Sequence, residues 1–179
     1  HGDIGDYEEL LADVEAERIA GLIFASAATE FIGTPVFDRP GIPRAAIAAA
    51  YQLPGIPKAQ VDLSSFFAKA ADHLLAAGRR RVGVVFGASD TDDESEIAAV
   101  CADCLGSHGL TMNPLWTHFV HLWSPLAARH CVHSMLHDGQ TARPDGLILA
   151  DDNFLTAATR GVADAGIAVP EDLTVISIA

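Results

Sequence analysis

The chain has 179 residues, half of them hydrophobic and about a fifth charged, enough for one ordinary domain or two small lobes and too apolar for a disordered segment. Asp and Glu total 24 against 11 Lys and Arg, a formal charge of −13, so this surface repels phosphate backbones and is not expected to bind nucleic acid itself. No apolar run approaches the roughly 20 residues that span a bilayer, and the three cysteines Cys101, Cys104 and Cys131 fit a reducing cytoplasm better than a disulfide scaffold.

In chain order, Tyr7–Arg18 is an acidic amphipathic helix candidate and Gly21–Ser26 (GLIFAS) an apolar strand. Pro35–Asp38 is a weaker strand candidate. Arg39–Lys58 carries four prolines and two glycines and is expected to be a surface connection. Ala59–Leu63 is a second weak strand. The helix Ser64–Ala77 starts on a serine cap and stops at Gly78. Arg81–Phe86 (RVGVVF) is a clear strand, followed by a helix over Glu94–Ser107, a weak strand over Leu115–Val120 and a helix over Pro125–His137. Gly146–Ala150 (GLILA) is a strand, Asn153–Ala165 a helix ended by Gly166, and Thr174–Ile178 (TVISI) a strand.

The clear strands are continuously apolar rather than alternating, which predicts burial on both faces of a parallel sheet. Strand, helix and strand in repetition predict right-handed crossovers and a doubly wound α/β sheet. Ligands bind outside the carboxyl ends of such strands, so the loops after Phe86, Val120 and Ala150 are the places to seek function.

The chemistry-bearing clusters mostly have structural readings. Ser89–Glu96 (SDTDDESE) holds five acidic residues in eight, but lacks the glycine and distal glutamate of a calcium loop. Its charge suits the N-terminus of the helix that begins there, with Ser89 and Asp90 edging a pocket. Cys101 and Cys104 lie deep in a predicted helix, without further ligands at zinc spacing, and read as buried thiols. Of the five histidines His118, His121, His130, His133 and His137, the last three share one helical face opposite Ala128, Cys131, Val132, Met135 and Leu136, and are expected to face water. There is no phosphate loop, GxGxxG or GxSxG. No catalytic residue, metal or cofactor is therefore expected, and a metal-dependent hydrolase built on the acidic run and the histidines is the weakest alternative.

Two stretches are more specific. VDLSSFFAKAADHLLAAGRRRVGVVF at Val61–Phe86 places Asp62 after a strand, His73–Leu74 at the end of a helix, and a Gly78-Arg79-Arg80-Arg81 turn before the next strand. PDGLILADDNFLTAATRGVADAGIAVPEDLTVISI at Pro144–Ile178 places Ala150-Asp151-Asp152 after a strand, then a helix, Gly166-Ile167, Val169-Pro170-Glu171-Asp172 and a strand. GLIFAS, PVFDRP at Pro35–Pro40, Trp123 and Met135–Leu136 support them. This pattern resembles the effector half of the lac/gal-repressor family of transcription regulators, from Leu10 to the end of the chain.

The resemblance implies a periplasmic-binding-protein-like fold of two doubly wound lobes, incomplete at both ends, here divided as residues 1–87 and 88–179. A small sugar-like effector would lie in the interlobe cleft and a separate helix-turn-helix would bind DNA. By carry-over, Asp151, with Asp152 beside it, accepts effector hydroxyls, Trp123 stacks on a sugar face and Asp62 lines the near lobe. An arginine common in the family after the Phe86 strand is missing, its positions being Ile97 and Val100, and Asp151 stands where the family usually has Asn. Both departures add negative character and favour a more basic ligand. The protein is expected to be a cytoplasmic homodimer without membrane contact. A secreted solute-binding protein of a transporter is the alternative.

Overall fold

The computed structural model describes residues 4–25, 31–48, 55–88, 94–121 and 124–178. The chain divides into two units, His1–Val61 and Asp62–Ala179.

In the first unit, helix α1 (Ile4–Glu15) turns Tyr7, Leu10, Leu11 and Val14 inward, the i, i+3, i+4, i+7 stripe of an amphipathic helix. Strand β1 (Leu22–Phe24), the short helix α2 (Pro35–Asp38) and strands β2 (Arg44–Ala48) and β3 (Lys58–Gln60) follow. The three strands form a parallel sheet in the order β1-β2-β3. Its core joins Val14, Phe24, Val36, Phe37, Ile42 and Ala46, with the Phe24 and Phe37 rings 5.6 Å apart.

Three sequence expectations are corrected here. Pro35–Asp38 is helical, not a strand: Pro35 occupies the first turn, where its missing N–H costs nothing, and Asp38 N donates to Thr34 O. Both Val36 and Phe37 are then buried, whereas consecutive residues of a strand would face opposite sides. Arg39–Lys58 is not simply a surface connection, because it contains β2, the central strand of the sheet. Proline content hid it: the prolines flank the strand, and its alanines give a weak apolar signal. The Arg44 guanidinium donates to Val36 O (2.9 Å) and Ile42 O (2.8 Å), tying β2 to α2. β3 also begins and ends earlier than the Ala59–Leu63 segment.

In the second unit, helices α3 (Leu63–Ala76), α4 (Glu94–Ser107), α5 (Pro125–Leu136) and α6 (Leu155–Asp164) alternate with strands β4 (Val82–Ala88), β5 (Met112–His121), β6 (Gly146–Leu149) and β7 (Thr174–Ser177). The strands are parallel, in the order β5-β4-β6-β7. Successive residues feed opposite faces. Val82, Val84, Phe86 and Ile148 pack with Phe67, Leu74, Cys101 and Leu105 of α3 and α4. Val85, Leu147 and Leu149 pack with Val132, Leu136, Ala158 and Val162 of α5 and α6. This is a three-layer sandwich, and fully burying each of these large side chains contributes on the order of 2 kcal/mol. α3 ends where expected: Gly78 adopts φ +76°, a conformation that glycine takes without steric cost.

The second unit begins at Asp62 and so takes in α3 and β4. β4 is central to the second sheet, bonded to both β5 and β6.

Candidate ligand-binding site

The chain leaves β4 through α4 toward β5 on one side of the sheet, and leaves β6 through α6 toward β7 on the other. The two connections diverge between neighbouring strands, which is the switch point where open α/β sheets leave a crevice. Register fixes what stands at that edge. Ala88, the last residue of β4, lies opposite His121, the last of β5. Ala150 N donates to Val85 O, and Ile178 N to Leu149 O, so the end of β6 is bonded on both sides.

Asp151 follows at once. Its backbone is extended, it is half-buried, and it caps a 3-10 turn over Asp152–Phe154. Its Oδ1 accepts from both Asn153 N and Asn153 Nδ2, each at 2.9 Å. Phe154 is fully buried and anchors the turn to the α5/α6 core, while Asp152 and Asn153 are exposed. Asp151 and Asp152 thus share one turn at the switch point. An ionised carboxylate only accepts hydrogen bonds, so this turn suits a ligand that presents hydroxyl or ammonium donors.

The other expected site residues divide. Asp62 is exposed and caps α3, its Oδ1 accepting from Ser65 N at 3.0 Å. Ser89, Asp90 and Trp123 lie outside the described residues. Sequence reasoning placed His121 only within a group of histidines; its position opposite Ala88 at the carboxyl edge comes from strand register. Asn153 was missed, although an Asn two residues after an Asp at a strand end is a recognisable turn signal.

Cys101 is fully buried, and burial, with a smaller effect from neighbouring Cys104, pushes its thiol up to about 12. Cys104 donates to Ser64 O. Burial also raises the Cys131 thiol. His130 is exposed, while His133 and His137 are half-buried with their rings stacked 5.9 Å apart. Among the described residues no three His, Cys, Asp or Glu side chains converge on a metal position.

The two stretches that carry the family resemblance meet in space. Arg79, in the turn before β4, donates from Nη2 to Pro170 O and Glu171 O, from Nη1 to Asp172 O, and from Nε to Thr174 Oγ1. The VPED turn is thereby held through three carbonyls. Asp145 makes the companion contact, its Oδ1 accepting from Arg80 N (2.9 Å) and Arg81 N (2.8 Å).

Residues 71–179, more than half of the chain, match the family described as periplasmic binding protein-like domain. The chain belongs to that family. It is similar to the HTH-type transcriptional regulator AscG of Escherichia coli (strain K12), with 27% identity over 107 residues, 60% of this chain and 31% of that protein. Among solved structures it is similar to the transcription regulator CcpA of Lactococcus lactis, with a TM-score of 0.75 and 15% identity over 99% of this chain and 64% of that one. It is also similar to a LacI family transcriptional regulator from Lactobacillus casei with bound glucose, with a TM-score of 0.72 and 18% identity over 98% of this chain and 65% of that one. The chain therefore spans about a third of the curated relative and under two-thirds of these solved ones.

The periplasmic-binding-protein-like α/β fold and the lac/gal-repressor resemblance read from the sequence agree with these matches. The relatives it resembles are named as transcription regulators, and the chain aligns with part of each. Among the described residues no helix is long and apolar enough to cross a membrane.

Proposed function

We propose that this chain is the ligand-sensing, dimerising part of a cytoplasmic LacI-type transcription regulator whose effector is a small sugar-like metabolite. The observation that carries the reading is Asp151 at the β4/β6 switch point of a domain belonging to the periplasmic binding protein-like family. The effector lies in the interlobe cleft that the resemblance implies, with Asp151 and Asp152 accepting its donors and Asp62, Ser89, Asp90 and Trp123 as further contacts. DNA is bound by a part of the protein outside this acidic chain. Ligand shifts operator affinity by binding the open and closed arrangements of the lobes unequally, since equal binding would move nothing.

Titration calorimetry on the full-length protein with hexoses, amino sugars and nucleosides tests the reading, followed by promoter-fragment binding with and without each hit. The expected result is one ligand class that binds and changes promoter affinity. A protein that binds none of them, or whose promoter affinity ignores every ligand, overturns it.

A further inference from the structure

Two Asp-Gly dipeptides occur in the chain, Asp138-Gly139 and Asp145-Gly146. In such a pair the glycine nitrogen can close on the aspartate side chain, because no Cβ on the glycine obstructs the approach. The fold treats the two in opposite ways. Asp145 is held at both oxygens: Oδ1 accepts from Arg80 N and Arg81 N, and Oδ2 lies 3.3 Å from an Arg81 guanidinium nitrogen. Gly146 is buried at the start of β6, its N–H donating to Arg81 O. Asp138 and Gly139, by contrast, are exposed in a turn closed by Gln140 N donating to His137 O at 3.1 Å. The Asp138 carboxylate has no hydrogen-bond or ion-pair partner among the described residues. The Gly139 N–H donates to His137 Nδ1 at 3.0 Å. An imidazole nitrogen that accepts carries a lone pair, so a proton acceptor already sits on this amide. Stacking on His133 at 5.9 Å holds the ring, and its Nε2 lies 3.3 Å from the Gln140 side-chain amide. A Cβ at position 139 would lie 2.7 Å from the ring's Cε1, so this approach needs glycine.

We propose that Asp138-Gly139 is a site of self-modification, where Asp138 isomerises to isoaspartate through a succinimide with His137 as the general base. Starting from the neutral carboxyl, Gly139 N attacks Asp138 Cγ and its proton passes to His137 Nδ1. The Cγ–O bond breaks, and the imidazolium returns that proton to the departing hydroxide, which leaves as water. A second water then opens the five-membered imide. Cleavage between Gly139 N and Asp138 Cγ restores aspartate; cleavage between Gly139 N and the Asp138 carbonyl carbon leaves isoaspartate. No oxidant or reductant is needed, and the imidazole is regenerated. The 3.0 Å separation is within the reach that proton abstraction requires. The product routes the main chain through the side-chain carbon and so lengthens it by one atom in the turn between α5 and β6. Asp145-Gly146 lacks both requirements, since its carboxylate is occupied by Arg80 and Arg81 and its N–H faces a carbonyl instead of a base.

The test incubates the native full-length protein for weeks at physiological temperature and neutral pH. Mass spectrometry with electron-transfer fragmentation then locates isoaspartate residue by residue. Isoaspartate is expected to accumulate at position 138, faster than in the same protein kept in denaturant, and to stay at background at position 145. His137→Ala is expected to slow the native reaction at 138 on the order of tenfold, less than a base contributes inside a closed active site because water reaches this turn. In denaturant, wild type and His137→Ala are expected to react alike, since the fold is what positions the base. An undiminished native rate in His137→Ala, or a difference that persists in denaturant, overturns the role of His137. Native wild type that forms isoaspartate at 138 no faster than at 145, or no faster than the denatured chain, overturns the proposal without recourse to a variant.

Discussion

The Nε of Arg79 donates to the Oγ1 of Thr174 across 3.1 Å, joining positions 95 residues apart in the chain. The same guanidinium serves the carbonyls of Pro170, Glu171 and Asp172, so a single side chain couples the turn before β4 to the turn before β7. Arg79→Ala is expected to cost about 1–2 kcal/mol, because water reaches the released carbonyls and softens the loss. Arg79→Lys is expected to recover less than half of it, since an ammonium cannot reproduce the planar fork. Urea denaturation of the three proteins measures both differences, and a Lys variant as stable as wild type would rule out the fork.

Two glycines predict opposite signs. A Cβ at Gly161 of α6 would lie 2.5 Å from Arg129 O and 3.2 Å from His133 N, both backbone atoms of α5. Gly161→Ala is therefore expected to force α5 and α6 apart and destabilise by about 1–3 kcal/mol despite the better helix propensity of alanine. Gly106 of α4 has nothing within 4 Å of its would-be Cβ. There, alanine is expected to stabilise by about 0.5–1 kcal/mol. Thermal midpoints of the two variants should move in opposite directions.

Asp62 acts on the α3 helix through its Oδ1 and Ser65 N. Asp62→Ala is expected to lower stability by about 1 kcal/mol with no ligand present, while Asp62→Asn, which keeps a capping oxygen, changes it by only a few tenths. If calorimetry then shows effector affinity unchanged in Asp62→Asn, the residue is a cap and not a ligand contact.

The Arg129 guanidinium, 2.6 Å from Asp164, holds that carboxyl below its ordinary value of 3.8, first through the hydrogen bond and then through charge, with His133 and His130 adding to it. A carboxylate depressed in the folded state contributes stability that is present above the unfolded value and fades as pH falls through the folded one. The stability gap between wild type and Asp164→Asn is thus expected to be open at neutral pH, to narrow below about pH 3.8, and to shrink with added salt. Denaturation at several pH values and two ionic strengths checks it; a gap that widens in acid contradicts it.

Cys101 makes the opposite case at the alkaline end. Its buried thiol stands at about 12, against an ordinary 9.0, so unfolding releases a proton between those values and stability falls as pH rises from 9 toward 12. At pH 8 the folded protein is expected to leave Cys101 unmodified by iodoacetamide, with labelling appearing only in denaturant; mass-spectrometric mapping of labelled peptides decides this. Rapid labelling of Cys101 in the native protein would show that the helix opens locally.

The fold was most legible where a strand is buried on both faces. RVGVVF and GLILA announce themselves because every residue must be apolar when helices cover both sides, and they became β4 and β6 at the centre of the sheet. α3 was legible for a different reason: its cap, apolar stripe and terminal glycine are all local signals. β2 was not, because alanine carries little hydrophobic signal, and the strand is defined by its two neighbours rather than by its own residues. Pro35–Asp38 failed likewise, since four apolar-rich residues carry no period long enough to separate strand from turn.

The site shows the same division. By itself, the sequence determined that Asp151 and Asp152 follow a buried strand, that two motif stretches resemble those of lac/gal-repressor regulators, and that the surface is strongly acidic. Those are properties of residues near one another in the chain. Only the tertiary structure decided that β4 and β6 are neighbours with diverging connections, that His121 ends its strand opposite Ala88, and that Arg79 reaches across to the VPED turn. Strand order and register arise from pairing between segments dozens of residues apart, and that pairing is fixed by which faces can be buried together, which no local pattern encodes.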